Sequence, residues 1–396
     1  MKWVSTFSYL PVNYGFLLAT VENQTQRLTF DNNLNGNRIR IRFSNRYSEK
    51  PLTLQRVSVG IVRDGAVQNV CMVSRNGNSV IELKPGEECW SDETEYAVAA
   101  GDRIAVSTYV KEPQEIRSVS LFWSKTGPKV RLGRDGDYVS GGRFEECPAE
   151  EVYQFVREDA NKGQVFYGFT GLQVLTDDKV KTIAAFGDSI THMSYVTNAL
   201  YKRLYAAYPG QVALVNRGIG GNRVLHDATR VDFIPGNGCC FGDAGVKRFE
   251  KDVFGQEPAD VVLVLEGIND IMHPIQFSRL EEQVTPEELL AGYGEYIQTA
   301  HRHQVAIFGA TIPPCGNEEY PEEWLAAFES VRLEVNRRIR EGMDFDGYFD
   351  YDEAVRDDLR SGYMRKEYHI GDGLHPNDEG GAAMAEAVYL DEVMGK

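Results

Sequence analysis

At 396 residues, 42% hydrophobic and 26% charged, the chain is long enough for about two or three folded units with full cores. Residues 1–176 carry 21 basic and 21 acidic side chains while residues 177–396 carry 21 and 38, so the whole net charge of −17 sits in the second half. That balance excludes nucleic acid and anionic membrane as partners, because both need clustered Lys and Arg. There is no apolar run of about 18 residues to span a bilayer. The opening MKWVSTFSYLPVNYGF does not read as a secretion signal. Six scattered cysteines, including the adjacent Cys239 and Cys240, lack the spacing of a zinc or redox site and read as reduced thiols. The expectation is a cytoplasmic protein with no cofactor and no metal.

In chain order, Arg38-Ile39-Arg40-Ile41-Arg42-Phe43 alternates strictly, apolar at odd positions, and predicts a strand with one buried face. Leu52–Val62, Ile104–Val110 and Val119–Trp123 read alike, punctuated by turns such as Asn35-Gly36-Asn37 and Lys84-Pro85-Gly86. Residues 1–176 are therefore expected to form an all-β sandwich or jelly roll. From Lys179 apolar strands alternate with helices: strands at Ile183–Phe186, Val212–Val215, Asp260–Leu265, Val305–Ala310 and Tyr348–Asp350. Helices are expected at Tyr195–Tyr208, Pro286–His303 (with Thr285 as N-cap), Pro321–Glu341 and Glu379–Val393. Residues 177–396 thus predict an α/β domain, a buried parallel sheet with helices on both faces. Sites in such sheets form at the carboxyl ends of the strands.

Polar strings stand at those ends. Gly187-Asp188-Ser189-Ile190-Thr191 follows the first strand and places a Ser between strand end and helix start; alone, it is more often a helix N-cap. It is not the G-x-S-x-G elbow, since position 191 is Thr. Asn216-Arg217-Gly218-Ile219-Gly220-Gly221-Asn222 lets the backbone approach a ligand and aim an amide at it, or is simply a tight turn. Glu266-Gly267-Ile268-Asn269-Asp270 offers an Asn amide suited to an oxyanion, though Asn and Asp are also ordinary loop residues. Asp372 and His375, three apart, can pair carboxylate to imidazole, an arrangement structural more often than catalytic when found alone. Together they supply a nucleophile, oxyanion donors and an oriented base in one domain.

The strings GDSIT, NRGIGGN, EGINDI and DGLHPN, in this order, resemble the four blocks of the SGNH/GDSL hydrolase superfamily. NQTQRLTFDNNLNGNRIRIRFSNRYSEKPLTL and the later GDRIAVSTYV are similar to the N-terminal β-domain of a two-domain subgroup of GDSL-type lipases and acylhydrolases. The resemblance implies a flavodoxin-like three-layer α/β/α fold with five parallel strands. It implies Ser189 as nucleophile, its amide with Gly221 N–H (or Gly220 after a one-residue shift) and the Asn269 side chain as oxyanion donors, His375 as base and Asp372 as its orienter. Two departures are His192, where many relatives carry Asp, and an apparent insertion over Val231–Val246.

Two other classes compete. Asp188, Asn269, His273 and His375, helped by His192 or His226, would suit a metallophosphoesterase, but the Asp-x-His and Gly-His-x-His pairs of two-metal sites are missing. A binding protein with a degenerate α/β half conflicts with the intact blocks. In the β-domain, Trp3, Tyr47, Trp90, Tyr109 and Trp123 either form a sugar platform or pack internally, and the domain can also wall the cleft. The expected partner is a small-molecule ester, with acetylated oligosaccharides or similar short-chain esters ahead of lipids.

Overall fold

In the computed structural model, which describes residues 1–153, 163–232, 235–255 and 257–396, two compact units form. One is Met1–Val180 with Tyr205–Val215; the other is Lys181–Leu204 with Asn216–Lys396. In the first unit the alternation of the strand Gly36–Ser44 decides its faces. Ile39, Ile41 and Phe43 are fully buried, while Arg38 stays exposed. This strand lies beside Gln164–Thr176 in a seven-stranded antiparallel sheet, and Gln24–Asp31 beside Arg103–Val110 in a six-stranded one. Phe7 of the first sheet stacks on Phe30 of the second at 4.6 Å and leans on Phe166 at 5.8 Å, so aromatic rings fill the space between the sheets.

The run Leu52–Val62 is not one strand. Leu52–Leu54 pairs with Ile81–Leu83, and Arg56–Arg63 joins the six-stranded sheet. Between them the Gln55 amide donates to the Tyr109 carbonyl, which ends one pairing and starts the other. Three of the aromatics singled out above are used in packing: the Arg40 guanidinium lies between Trp3 and Trp90 at 4.5 and 4.3 Å, and buried Tyr109 donates to Asn23.

The second half of the chain forms a five-stranded sheet of β1 (Lys181–Gly187), β2 (Val212–Gly218), β3 (Val261–Leu265), β4 (Ala306–Ala310) and β5 (Gly347–Phe349), in the order β2-β1-β3-β4-β5. β1, β3, β4 and β5 pair in parallel, with Gly187 opposite Leu265 at the carboxyl ends. The chain reverses direction across the sheet at β1, the switch point where doubly wound sheets bind ligands. Helices α1 (Ser189–His192), α2 (Tyr195–Ala207), α3 (Gly245–Glu250), α4 (Ile268–Gln276), α5 (Pro286–Arg302), α6 (Glu322–Arg340), α7 (Tyr351–Val355), α8 (Asp378–Glu386) and α9 (Leu390–Val393) complete it. α5 begins as expected, with a capping box in which Thr285 and Glu288 satisfy each other's backbone amides.

Four elements differ from expectation. α4 stands where only a loop string is read, and α3 and α7 fall in stretches read without a helix. The last helix is broken after Glu386, because Arg203 reaches from α2 to the carbonyls of Ala385 and Val388 and caps α8 there. Residues 233 and 234 of the Val231–Val246 insertion lie outside the described residues. Among the described residues all six cysteines are free thiols, and no helix is long and apolar enough to cross a membrane.

Candidate active site

β1 ends at Gly187, and the next residue, Asp188, caps α1: its Oδ1 accepts from the Ile190 amide at 3.0 Å. The alternative of Ser189 as the cap therefore does not hold. Ser189 is the first helical residue, its amide is one of the unpaired donors of a helix start, and its hydroxyl is left to other partners. That hydroxyl lies 2.8 Å from Nε2 of His375, across 186 residues of sequence.

The loop carrying His375 is tied down from several sides. His369 Nδ1 accepts from the amides of Gly371 and Gly373, each at 3.0 Å, and Asn317 Nδ2 donates to the Asp372 carbonyl at 3.1 Å. The Asp372 carboxylate then accepts three bonds: Oδ1 from the amides of Leu374 and His375, each at 3.0 Å, and Oδ2 from His375 Nδ1 at 2.6 Å. Partial burial works to raise its pKa, but the bond and charge of His375 and the two amides outweigh it and bring it down to about 2. An ionised Asp372 makes Nδ1 the donor, so Nε2 is the nitrogen free to accept from Ser189.

The glycine loop after β2 is best read by following its amides in turn. Gly218 N–H goes to Asn216 Oδ1 (2.9 Å), Ile219 to the Gly187 carbonyl (3.0 Å), Gly220 to His192 Nδ1 (3.0 Å) and Asn222 to the Ile219 carbonyl (3.2 Å). Among the described residues no acceptor takes the Gly221 amide. Gly221 has φ +72°, a conformation that other residues adopt at a cost, and a Cβ there would overlap the Phe241 ring. Asn269, near the start of α4, is buried and its Nδ2 donates to the Asn222 carbonyl at 2.9 Å, which brings its amide beside the residue that follows Gly221. A Cβ on Gly220 would stand 4.0 Å from Cβ of Ser189, so the loop passes directly over the serine.

The model of the GDSL-like lipase/acylhydrolase family matches residues 185–383, the stretch that holds all four strings. The chain belongs to this family. It is therefore a carboxylic ester hydrolase of the SGNH/GDSL type. No curated protein sequence matches it. Among solved structures it is similar to a GDSL-like lipase from Bacteroides thetaiotaomicron VPI-5482, with 17% identity and a TM-score of 0.38 over 54% of this chain and 88% of that one. It is also similar to a catalytic mutant of Axe2, an acetylxylan esterase from Geobacillus stearothermophilus, with 21% identity and a TM-score of 0.39 over 55% of this chain and 94% of that one. A third is LAE5, an α/β hydrolase from the metagenome of Lake Arreo, Spain, with 22% identity and a TM-score of 0.39 over 54% of this chain and 95% of that one.

This GDSL hydrolase holds its strand ends together through residues that carry no motif. The guanidinium carbon of Arg248 in α3 lies over the Phe186 ring, 3.9 Å from its centre, and the residue is buried. Its guanidinium donates to the carbonyls of Gly187 (2.8 Å) and Arg217 (2.9 Å), to Asn222 Oδ1 (2.6 Å) and toward Glu266 (3.4 Å). One side chain thus links the ends of β1, β2 and β3. Asp270 is fully buried and accepts from the amides of Val224 (2.7 Å) and Leu225 (3.0 Å), which fixes the chain just beyond the glycine loop. Burial raises the pKa of Asp270 to about 7 and pushes Asp188 and Glu266 up as well. Asp270 was visible as part of the third string; nothing local marked Arg248.

The residues of the metal reading have other partners. His273 Nδ1 meets Thr229 Oγ1 at 2.9 Å, and burial lowers its pKa to about 3; Asp188 caps α1, and His375 sits between Ser189 and Asp372. Among the described residues no three His, Cys, Asp or Glu side chains group as metal ligands.

Proposed function

We propose that this family member is a serine esterase that hydrolyses short-chain acyl esters, acetyl esters foremost, on carbohydrates or other small alcohols. The observation that carries the reading is the unbroken relay from Ser189 Oγ through His375 to Asp372, at 2.8 and 2.6 Å. His375 Nε2 takes the hydroxyl proton as Oγ attacks the ester carbonyl, and Asp372 stabilises the imidazolium that forms. The oxyanion is held by the amides of Ser189 and Gly221 and by Asn269 Nδ2. His375 returns the proton to the departing alcohol, and water then repeats the sequence on the acyl-serine. Every residue of this machinery lies in the C-terminal unit.

Two features support a small acyl group. The Phe241 ring fills the space beside Gly221 and lies 5.1 Å from the His273 ring, an aromatic wall next to the proposed oxyanion pocket. The acidic surface of residues 177–396 disfavours anionic lipid headgroups. The test is a panel of aryl acetate, butyrate and octanoate with acetylated xylo- and manno-oligosaccharides, run on the wild type and on Ser189→Ala. Fast turnover of acetates that vanishes in Ser189→Ala is expected. Fastest turnover of octanoate with no release from sugar acetates would place the enzyme with the lipases.

A further inference from the structure

We infer that His192 is a positioning residue for the oxyanion pocket: its neutral imidazole, protonated on Nε2, accepts the Gly220 amide and so aims the next amide, that of Gly221, at the reacting carbonyl oxygen. The inference rests on the serine-esterase reading above and assigns a task to the residue by which this chain departs from many relatives.

The bond itself fixes the tautomer. Gly220 N–H is a donor 3.0 Å from Nδ1, so Nδ1 carries the lone pair and the ring proton sits on Nε2. The ring has little room to move, because His192 is the last residue of the one-turn helix that Ser189 opens, and it is buried. That helix is pressed against Gly218, where a Cβ would overlap the His192 backbone. Asn216 Nδ2 holds the carbonyl of Thr191, one residue earlier, at 2.7 Å. The nucleophile and the imidazole therefore ride on one rigid turn, and the imidazole reaches across to the loop that runs over the serine.

The amide accounting gives this bond its consequence. Gly218, Ile219, Gly220 and Asn222 each have an acceptor within the protein, and Gly221 alone has none among the described residues. Without the His192 bond, the Gly220–Gly221 segment would have two unpaired amides in succession. The flexible pair could then turn either of them, or neither, toward the substrate. The bond removes that choice. An interaction of this kind serves the transition state more than the bound ester, since it is the oxyanion that needs the aimed donor; its loss should appear in kcat and leave KM nearly unchanged.

The experiment compares His192→Leu and His192→Asn with the wild type and with Ser189→Ala on aryl acetate, with the thermal midpoint recorded for each. Asn can place its side-chain oxygen near the position of Nδ1; Leu fills the volume with no acceptor. In His192→Leu kcat is expected to fall by about 10- to 100-fold with KM within about twofold, below the full loss of a donor, which is about 10²–10³. His192→Asn is expected to recover most of that loss. Equal losses in both variants, or wild-type kcat in His192→Leu, would overturn the inference while Ser189→Ala stays inactive; an active Ser189→Ala would overturn the esterase reading itself. Should His192→Leu not fold, ¹⁵N spectra of histidine-labelled wild type decide the matter, since a proton on His192 Nδ1 is incompatible with the proposed bond.

Discussion

Replacing Asp372 by Asn tests the relay at its least exchangeable point. The carboxylate accepts from His375 Nδ1 at 2.6 Å with one oxygen and from two backbone amides at 3.0 Å with the other. An amide side chain has one oxygen and one NH2 group. The two amides, from Leu374 and His375, hold the oxygen by offering it two donors. The NH2 group then faces the imidazole, and Nδ1 must become an acceptor. The ring proton moves to Nε2, the position proposed to receive the proton of Ser189 2.8 Å away. The variant keeps its shape and loses its base.

A wrong tautomer of this kind costs about 10⁴ in kcat, or about 5.5 kcal/mol of activation free energy at 1.36 kcal/mol per decade. Steady-state kinetics of Asp372→Asn on aryl acetate, beside a circular dichroism spectrum to confirm folding, measure it directly. Asp372→Ala should lose less, because it removes the orienting oxygen without offering a competing donor. A folded Asp372→Asn within tenfold of wild type, with Ser189→Ala inactive, would refute the tautomer argument and leave His375 oriented by something else.

Asn269→Ala should lower kcat by about 10²–10³ on aryl acetate with a smaller change in KM, since its amide is proposed to meet the oxyanion and not the ground-state ester; a change confined to KM would count against that role. Stability should depend on pH through Asp270. Burial raises its pKa to about 7 in the folded chain from an ordinary 3.8, so between these values the folded state binds more protons than the unfolded one, and stability falls as pH rises. Asp372 acts oppositely: its pKa is lowered to about 2, so its contribution is present above pH 4 or so and lost as pH falls toward 2. Thermal midpoints should be higher near pH 5 than near pH 8, with a flatter dependence in Asp270→Asn. A midpoint that rises across this range would contradict the sign.

What the sequence made legible was whatever local chemistry encodes. Period-two alternation placed Ile39, Ile41 and Phe43 inside, and the Thr285–Glu288 pair announced the start of α5. α4 went unread because it is short and Gly267 and Pro274 both look like breakers, although Ile268, Ile271, Met272 and Ile275 recur at helical spacing. The break after α8 was equally invisible, as it depends on Arg203, 182 residues from Ala385 in the chain. The site followed the same division. The four strings marked Ser189, Asn269, Asp372 and His375 because each stands a few residues beyond a strand or in a loop, where polar residues stand out against an apolar run. The link from His192 to Gly220 spans 28 residues and the reach of Arg248 to Gly187 spans 61, and neither leaves a pattern in the chain.

The buried charges bear on the proposed anion pocket. Asp188, Glu266 and Asp270 lie beneath the strand ends, and Arg248 is the cation that lowers the pKa of Asp188 and Glu266. If all three carboxyls were ionised, their field would oppose the oxyanion proposed to form between Ser189, Gly221 and Asn269. Burial raises the pKa of all three, which weakens that field by favouring their neutral forms. Arg248 meanwhile donates to the Arg217 carbonyl and adds a second donor to the Gly187 carbonyl, which already accepts from the Ile219 amide. Asp270 serves the loop in the same way, as an acceptor for the amides of Val224 and Leu225. A hydrogen-bonded acid fixes the backbone without adding its full charge to the field, and the amides proposed to meet the oxyanion then set the local sign.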